Sequence, residues 1–398
     1  MRILVVNMTL DPVAGGGTAE RTLQLCRHLA RAGLDCSLLT TDGGIQTARR
    51  EALEGVRVTA LPVCWRRFYF PRGGMQRVRD EVSRADIVTL MNHWTVINAM
   101  AYMMARGSGV PHVVCPSGSL QITGRSTLLK RAYDLLIGRR IVRMASAHVA
   151  ITSDERQYFA AYGLDPSMVR VIPNGIDPAD YATAEGHFLQ RVGLEGRSYI
   201  LFVGRLNRIK GPDLLLNAYL DARGSIPDVH LVFAGPDEGL LGVLRSTARE
   251  RGALDSVHFL GHISGPDKVD LFRHAELVAI PSRSEAMSIV ALEAGVAGRP
   301  VLMTDRCGFP ECARAGGGLI VAANVDAIRW ALPTMLVNRE TLGEMGRRLN
   351  ALTLRDYQWS AVVKSYVELY REVLSASRGR RPGGRRSRGR ESDCGLNV

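Results

Sequence analysis

The chain has 398 residues, 46% hydrophobic and 23% charged, with a formal charge of +12 at pH 7. This composition fits a globular protein of two or three domains and excludes collagen-like, coiled-coil and wholly disordered chains. No apolar run approaches the ~18 residues of a membrane helix. The seven scattered cysteines, with no Cys-x-x-Cys pair, suit reduced cytosol better than a disulfide framework.

Met1–Asn7 turns polar too soon for a secretory signal and reads as a first strand. Further strand-like runs are Cys36–Thr40, Val56–Leu61, Ile87–Met91, His112–Cys115, His148–Ile151 and Val169–Ile172. Amphipathic stretches such as Ala19–Ala32 and Leu128–Met144 fall between them. After the turn signal Pro173-Asn174-Gly175 the alternation restarts with Tyr199–Val203, His230–Ala234, Val257–Leu260, Leu277–Ile280 and Val301–Met303. A last amphipathic helix is expected over Trp359–Leu374. The strands are continuously apolar, as in parallel sheets covered on both faces. The expected architecture is α/β, with two doubly wound Rossmann-like halves and the ligand in the cleft beyond their carboxyl strand ends. The divisions are 1–173, 174–356, a helix over 357–376, and a basic tail over 377–398. The tail contributes +5 of the charge and, rich in Pro, Gly, Ser and like charges that cannot form a core, is expected to be disordered.

Three loops carry chemistry. Gly15-Gly16-Gly17-Thr18 links the first strand to a helix beginning near Ala19, with Thr18 as its cap. Glycines permit close backbone approach, and a helix N-terminus favours an anion. Glu20 stands where a dinucleotide fingerprint needs a third glycine. Gly204–Gly211 places Arg205 and Lys210 at the mouth of the second half, a fork and a point charge for phosphate. Ser282–Ala294 carries Glu285 in a loop, Ser288 as an N-cap, and Glu293 within the apolar run Ile289–Val296. A buried Glu needs a partner, and sugar hydroxyls would serve.

Together these loops, with Pro173-Asn174-Gly175-Ile176-Asp177 and Gly298-Arg299-Pro300-Val301, resemble glycosyltransferase family 4, retaining enzymes of GT-B fold. The resemblance runs from Met1 to about Leu374. It implies a hexosyltransferase-type enzyme taking a sugar from a UDP- or GDP-linked donor, with no resident metal and no other cofactor. It implies that Arg205 and Lys210 bind the donor diphosphate, Glu285 the sugar and Glu293 the ribose. Amides of Ser288 and Ile289 would reach the phosphate. Gly16 and Gly17 would close on the donor, and Gly261-His262-Ile263 would flank the base. The last helix would cross back to the first half. Nothing in the chain forms an Asp-x-Asp pair or a metal-ligand spacing.

Two positions depart from the family pattern. Ser117 stands where many members carry a His, and Met287-Ser288 replaces a Phe-Gly pair. His93 is then the candidate acceptor base, with Asn92, Ser117 and Gly118 on the acceptor side. The segment 125–143 carries six basic residues against Asp134, with Leu128, Ala132, Leu135 and Leu136 at helical spacing. Such a helix, like the Arg-rich tail, can rest on an anionic membrane, whereas the other reading packs its apolar face into the core. The expected acceptor is a lipid-linked or surface-polysaccharide glycan, as in lipopolysaccharide assembly. The enzyme is expected to be cytoplasmic and peripheral to the membrane, without nucleic acid as a partner. A nucleotide-sugar epimerase and a non-catalytic nucleotide-sugar-binding protein are the alternatives.

Overall fold

The computed structural model describes residues 1–12, 14–43, 50–65, 69–122, 126–183 and 186–379. The basic tail beyond residue 379 and Arg125 lie outside the described residues.

The first half holds β1 (Arg2–Val6), β2 (Asp35–Thr41), β3 (Arg57–Leu61), a short hairpin of β4 (Val63–Trp65) and β5 (Phe70–Pro71), β6 (Ile87–Met91), β7 (His112–Cys115), β8 (Ala147–Ala150) and β9 (Arg170–Val171). Seven of these form one parallel sheet in the order β3-β2-β1-β6-β7-β8-β9. The second half holds β10 (Tyr199–Val203), β11 (His230–Ala234), β12 (Val257–Gly261), β13 (Leu277–Ile280), β14 (Val301–Thr304) and β15 (Gly318–Val321). They form a second parallel sheet in the order β12-β11-β10-β13-β14-β15. Strands such as Ile87–Met91 and His230–Ala234 are buried throughout because helices cover both faces. Truncating one of these core leucines or isoleucines to Ala costs ~2–5 kcal/mol. β15 and the β4–β5 hairpin were not expected from the sequence.

The last helix spans Trp359–Gly379, so residues 377–379 are helical and do not begin a tail. It lies against the first half. Its Tyr366 Oη accepts from Arg21 at 2.9 Å, its Tyr370 Oη meets Thr89 Oγ1 at 2.7 Å, and Glu372 pairs with Arg170 at 2.7 Å. Arg21 is buried, and it also donates to the carbonyls of Ile172 and Pro173 and to Asn174 Oδ1. Asn174 in turn donates to the Met287 carbonyl at 3.1 Å. One chain of hydrogen bonds thus ties the first helix, the crossover at Pro173–Gly175 and the Glu285 loop together.

Candidate active site

In each sheet the strand order reverses beside its first strand, at β1/β6 and at β10/β13. Loops leaving the carboxyl ends of such neighbours diverge to opposite faces and leave a crevice. The loop after β10 carries Arg205 and Lys210, and the loop after β13 carries Glu285. Because β10 and β13 are adjacent, residues 75 positions apart in sequence meet: Lys210 Nζ lies 2.8 Å from Glu285 Oε1. Gly211 makes the close packing possible. Its φ is +69°, and a Cβ there would strike the Pro281 carbonyl. Arg283, which the sequence reading passed over, stitches the two loops. Its N–H donates to the Ile209 carbonyl at 2.7 Å and its guanidinium forks onto Asp213 at 2.6 and 2.8 Å.

Glu285 also accepts from Ser282 Oγ, and its own amide donates to the Arg306 carbonyl at 2.8 Å. Burial pushes the neighbouring Cys307 thiol up to about 12, so it stays neutral beside the carboxylate. Arg205 pairs with Glu238 at 3.1 Å, and Asn207 Nδ2 holds the other Glu238 oxygen at 2.6 Å. Both cations expected to meet a diphosphate are therefore already paired with carboxylates.

The helix Ile289–Val296 begins beside these loops. Its first amides lack intrahelical partners and form an anion-seeking end. The amide of Ser288 is not among them: it donates to the Cys307 carbonyl at 3.0 Å, which corrects its expected role on phosphate. The buried Ser288 Oγ has no hydrogen-bond partner among the described residues. Gly17 faces the same helix end, since a Cβ on it would lie 3.6 Å from Ile289 Cδ1. The first helix itself starts at Gly16, three residues before the expected Ala19, with Gly15 at its cap and no side-chain cap from Thr18.

Glu293 is buried on that helix. Its Oε1 accepts from Tyr181 Oη at 2.6 Å and from Lys268 Nζ at 2.7 Å, while Oε2 has no hydrogen-bond partner among the described residues. Neither Tyr181 nor Lys268 was expected. Gly261 ends β12, and His262 and Ile263 lead on into the helix Gly265–His274 that carries Lys268.

On the first half the structure corrects one expectation outright. His93 is 1% exposed, so it does not face the cleft as a base. Its Nε2 meets Asp134 Oδ1 at 2.8 Å, and Trp94, Tyr133 and Tyr162 surround the ring edge-on. Burial alone would raise the Asp134 carboxyl, but the bonds from His93, Tyr162 and Trp94 prevail and hold it below the usual range. Asn92, with φ +69°, donates its amide to the Cys115 carbonyl and so joins the ends of β6 and β7. Ser117 also has positive φ, and its Oγ lies 3.6 Å from Cys115 Sγ. Gly118 reaches the opposite half: a Cβ there would strike Ala286, the residue after Glu285. Its amide donates to Glu155, a buried carboxylate that also accepts from the Ile151 amide. Ser117 and Gly118 thus sit across from the donor loop, whereas His93 belongs to a packed cluster beneath the surface.

The helical stretch Thr127–Arg143 contains a π-helical turn at Asp134–Gly138. Its acid points inward to His93, and Ile141 and Val142 are buried in the core, but its leucines point out. Leu128, Leu129, Leu135 and Leu136 are all exposed, beside exposed Arg131, Arg139, Arg140 and Arg143. This overturns the reading in which the leucines face the core. No helix among the described residues is long and apolar enough to cross a membrane, and none of their His, Cys, Asp and Glu side chains form a metal-holding group of three.

Two facing doubly wound halves, with cations and a helix N-terminus at the second half's switch point, define a GT-B transferase. The chain belongs to glycosyltransferase family 4. The model for a glycosyl transferase 4-like domain matches residues 16–175, and that for glycosyl transferases group 1 matches residues 188–350. A D-inositol 3-phosphate glycosyltransferase of Salinispora arenicola is 28% identical over 94% of this chain and 92% of that enzyme. One from Nocardia farcinica is 32% identical over 62% of this chain and 56% of that enzyme. The fold is shared with the Anabaena protein Alr3699/HepE in complex with UDP-glucose. Its TM-score is 0.77 at 18% identity, over 94% of this chain and 100% of that one. Sucrose-phosphate synthase of Thermosynechococcus elongatus has a TM-score of 0.71 at 18% identity, again over 94% and 100%. The protein is a hexosyltransferase-type enzyme that uses a nucleotide sugar.

Proposed function

We propose that this enzyme transfers a hexosyl group, with retention at the anomeric carbon, from a UDP- or GDP-sugar to a lipid-linked or surface-polysaccharide acceptor at an anionic membrane surface. The anomeric bond to the diphosphate oxygen breaks and a bond to the acceptor hydroxyl forms. The acceptor's proton leaves with the nucleoside diphosphate, which needs no histidine base. Arg205, Lys210 and the start of the helix Ile289–Val296 stabilise the charge that develops on the departing diphosphate. These fixed positive groups stand where a metal ion would otherwise serve, so the donor needs no resident metal. Glu285 orients the sugar and Glu293 the ribose. Gly16 and Gly17 close over the donor from the first half, and Ile263 flanks the base. Asn92, Ser117 and Gly118 line the acceptor's approach.

The observation that carries the acceptor assignment is the outward leucine stripe of 127–143 among its arginines. An apolar stripe bordered by cations suits the boundary of anionic headgroups and acyl chains. A phosphorylated cyclitol is the second reading, favoured by the near full-length likeness to enzymes named D-inositol 3-phosphate glycosyltransferase. The test is a turnover assay with UDP- and GDP-hexoses against two acceptors, a membrane lipid extract and D-inositol 3-phosphate. Consumption of one donor with the lipid extract supports the membrane reading. Turnover with inositol phosphate alone replaces it.

A further inference from the structure

Glu293 is a buried carboxylate, and a charge buried without a counter-charge is strongly destabilising. Two donors from separate elements meet that need at a single oxygen. Lys268 Nζ, from the helix Gly265–His274, lies 2.7 Å from Oε1, and Tyr181 Oη, from the turn Pro178–Tyr181 after the crossover, lies 2.6 Å from it. Lys268 supplies the charge. Burial, and then the neighbouring carboxylate, push the Tyr181 phenol well above its ordinary value, so it stays protonated and donates. Oε1 is thereby saturated. Oε2 is buried and has no hydrogen-bond partner among the described residues. An ionised carboxylate oxygen only accepts, so whatever completes this site must bring a hydroxyl or N–H donor.

Building on the donor-site reading above, we infer that Lys268 and Tyr181 are positioning residues that fix the Glu293 carboxylate in place, with one oxygen turned to the nucleotide sugar's ribose, and so make the enzyme select ribonucleotide over 2′-deoxyribonucleotide donors. A site built around a substrate hydroxyl rejects the analogue that lacks it, because the buried acceptor is then left unpaired. Without Lys268 the carboxylate loses its counter-charge and its anchor, turns away, and the preference collapses. The ammonium itself need not touch the ligand.

The experiment measures binding of UDP, GDP and their 2′-deoxy counterparts to the full chain by calorimetry. The wild type is expected to prefer the ribonucleotide by roughly 10- to 100-fold, the span of a hydrogen bond to a charged group. Lys268→Met and Tyr181→Phe should each narrow that preference, Lys268→Met to within about threefold. Lys268→Arg should keep it. Tyr181→Phe removes one oxygen and fills the same space, so it serves should Lys268→Met fail to fold. Equal weakening of ribo- and deoxyribonucleotide, with the ratio unchanged, would mark a merely structural role and overturn the inference. A wild type that binds both sugars alike also overturns it, while leaving the donor site standing. A wild type that binds neither UDP nor GDP overturns the donor-site reading itself.

Discussion

Lys210 and Glu285 form an ion pair at 2.8 Å across two loops that leave adjacent strands, and each partner is assigned a different part of the donor. The pair holds both side chains in place before any ligand arrives. Lys210→Ala should remove a charge on the leaving diphosphate and release Glu285. Loss of one such stabilising group costs roughly 100- to 1,000-fold in kcat. Glu285→Gln keeps the shape and removes the carboxylate, so donor binding should survive better than turnover. Steady-state kinetics beside nucleotide affinity separates the two. Undiminished turnover in either variant would remove that residue from the chemistry.

Arg205 meets a different carboxylate, Glu238, at 3.1 Å, and this pair is about one-third exposed on each side. A diphosphate reaching Arg205 must displace Glu238 or bind beside its negative charge. Glu238→Gln should therefore tighten nucleoside diphosphate binding by roughly two- to fivefold, the worth of an exposed ion pair. The gain should shrink as salt is raised, because both terms are screened. Calorimetric titration at two salt concentrations checks it, and weaker binding in the variant would make Glu238 part of the donor contact.

His93 was legible as a residue near the cleft, but not as a buried one. Its partner Asp134 lies 41 positions away, and the aromatic ring of contacts assembles only in the fold. His93→Ala would take one of three hydrogen-bond partners from the buried Asp134 carboxylate, a loss of about 1–3 kcal/mol. His93→Gln, which can still hydrogen-bond Asp134, should keep most of the turnover. A fully folded His93→Gln protein with abolished turnover would restore the base.

What could be read in advance follows a physical line. Strands such as Ile87–Met91 and Leu277–Ile280 were legible to the residue because a sheet covered on both faces demands unbroken apolar runs. Gly318–Val321 escaped because its short run follows a string of glycines that reads as a turn. The Arg205, Lys210, Glu285 and Glu293 set was legible through loop chemistry and the order of motifs. Tyr181, Lys268, Glu238 and Arg283 were not, since each matters only through a partner brought in by tertiary packing. The Ser288 amide misled for a related reason. Its cap position was right, but a carbonyl from the β14 side of the sheet claims the N–H.

His230 and His258 give the second half a pH dependence. Their ring nitrogens lie 2.9 Å apart, and Arg197 donates to His230 at 3.0 Å. Burial first, and the neighbouring positive charge after it, lower both below the ordinary 6.5. The folded chain therefore keeps them neutral where the unfolded chain binds protons. Stability is complete above about pH 6.5 and falls as pH drops below it. Urea melts at about pH 7.5 and about pH 5.5 should show a smaller acid loss for His258→Gln than for the wild type. An equal loss in both proteins would assign the acid sensitivity to other groups.

The helical stretch 127–143 buries Ile141 and Val142 but turns its leucines outward, because its acid is claimed from within. Asp134 bonds His93, Tyr162 and Trp94, which sets the rotation of the whole segment and leaves Leu135 and Leu136 84% and 75% exposed. Residues so exposed contribute little to the fold, so Leu135→Ser with Leu136→Ser should leave the unfolding free energy unchanged within about 1 kcal/mol. On a membrane the same leucines would each gain ~1.5–3 kcal/mol on burial. The double variant should then lose at least roughly 100-fold in partitioning to vesicles containing phosphatidylglycerol. Reversing Arg139 and Arg140 to Glu should weaken binding to the same vesicles by repulsion, and high salt should mimic that change but not the leucine loss. Sedimentation with anionic and with neutral vesicles separates the apolar from the electrostatic part. Unaltered vesicle binding by both variants would place the membrane contact elsewhere and return the stripe to the protein surface without a role.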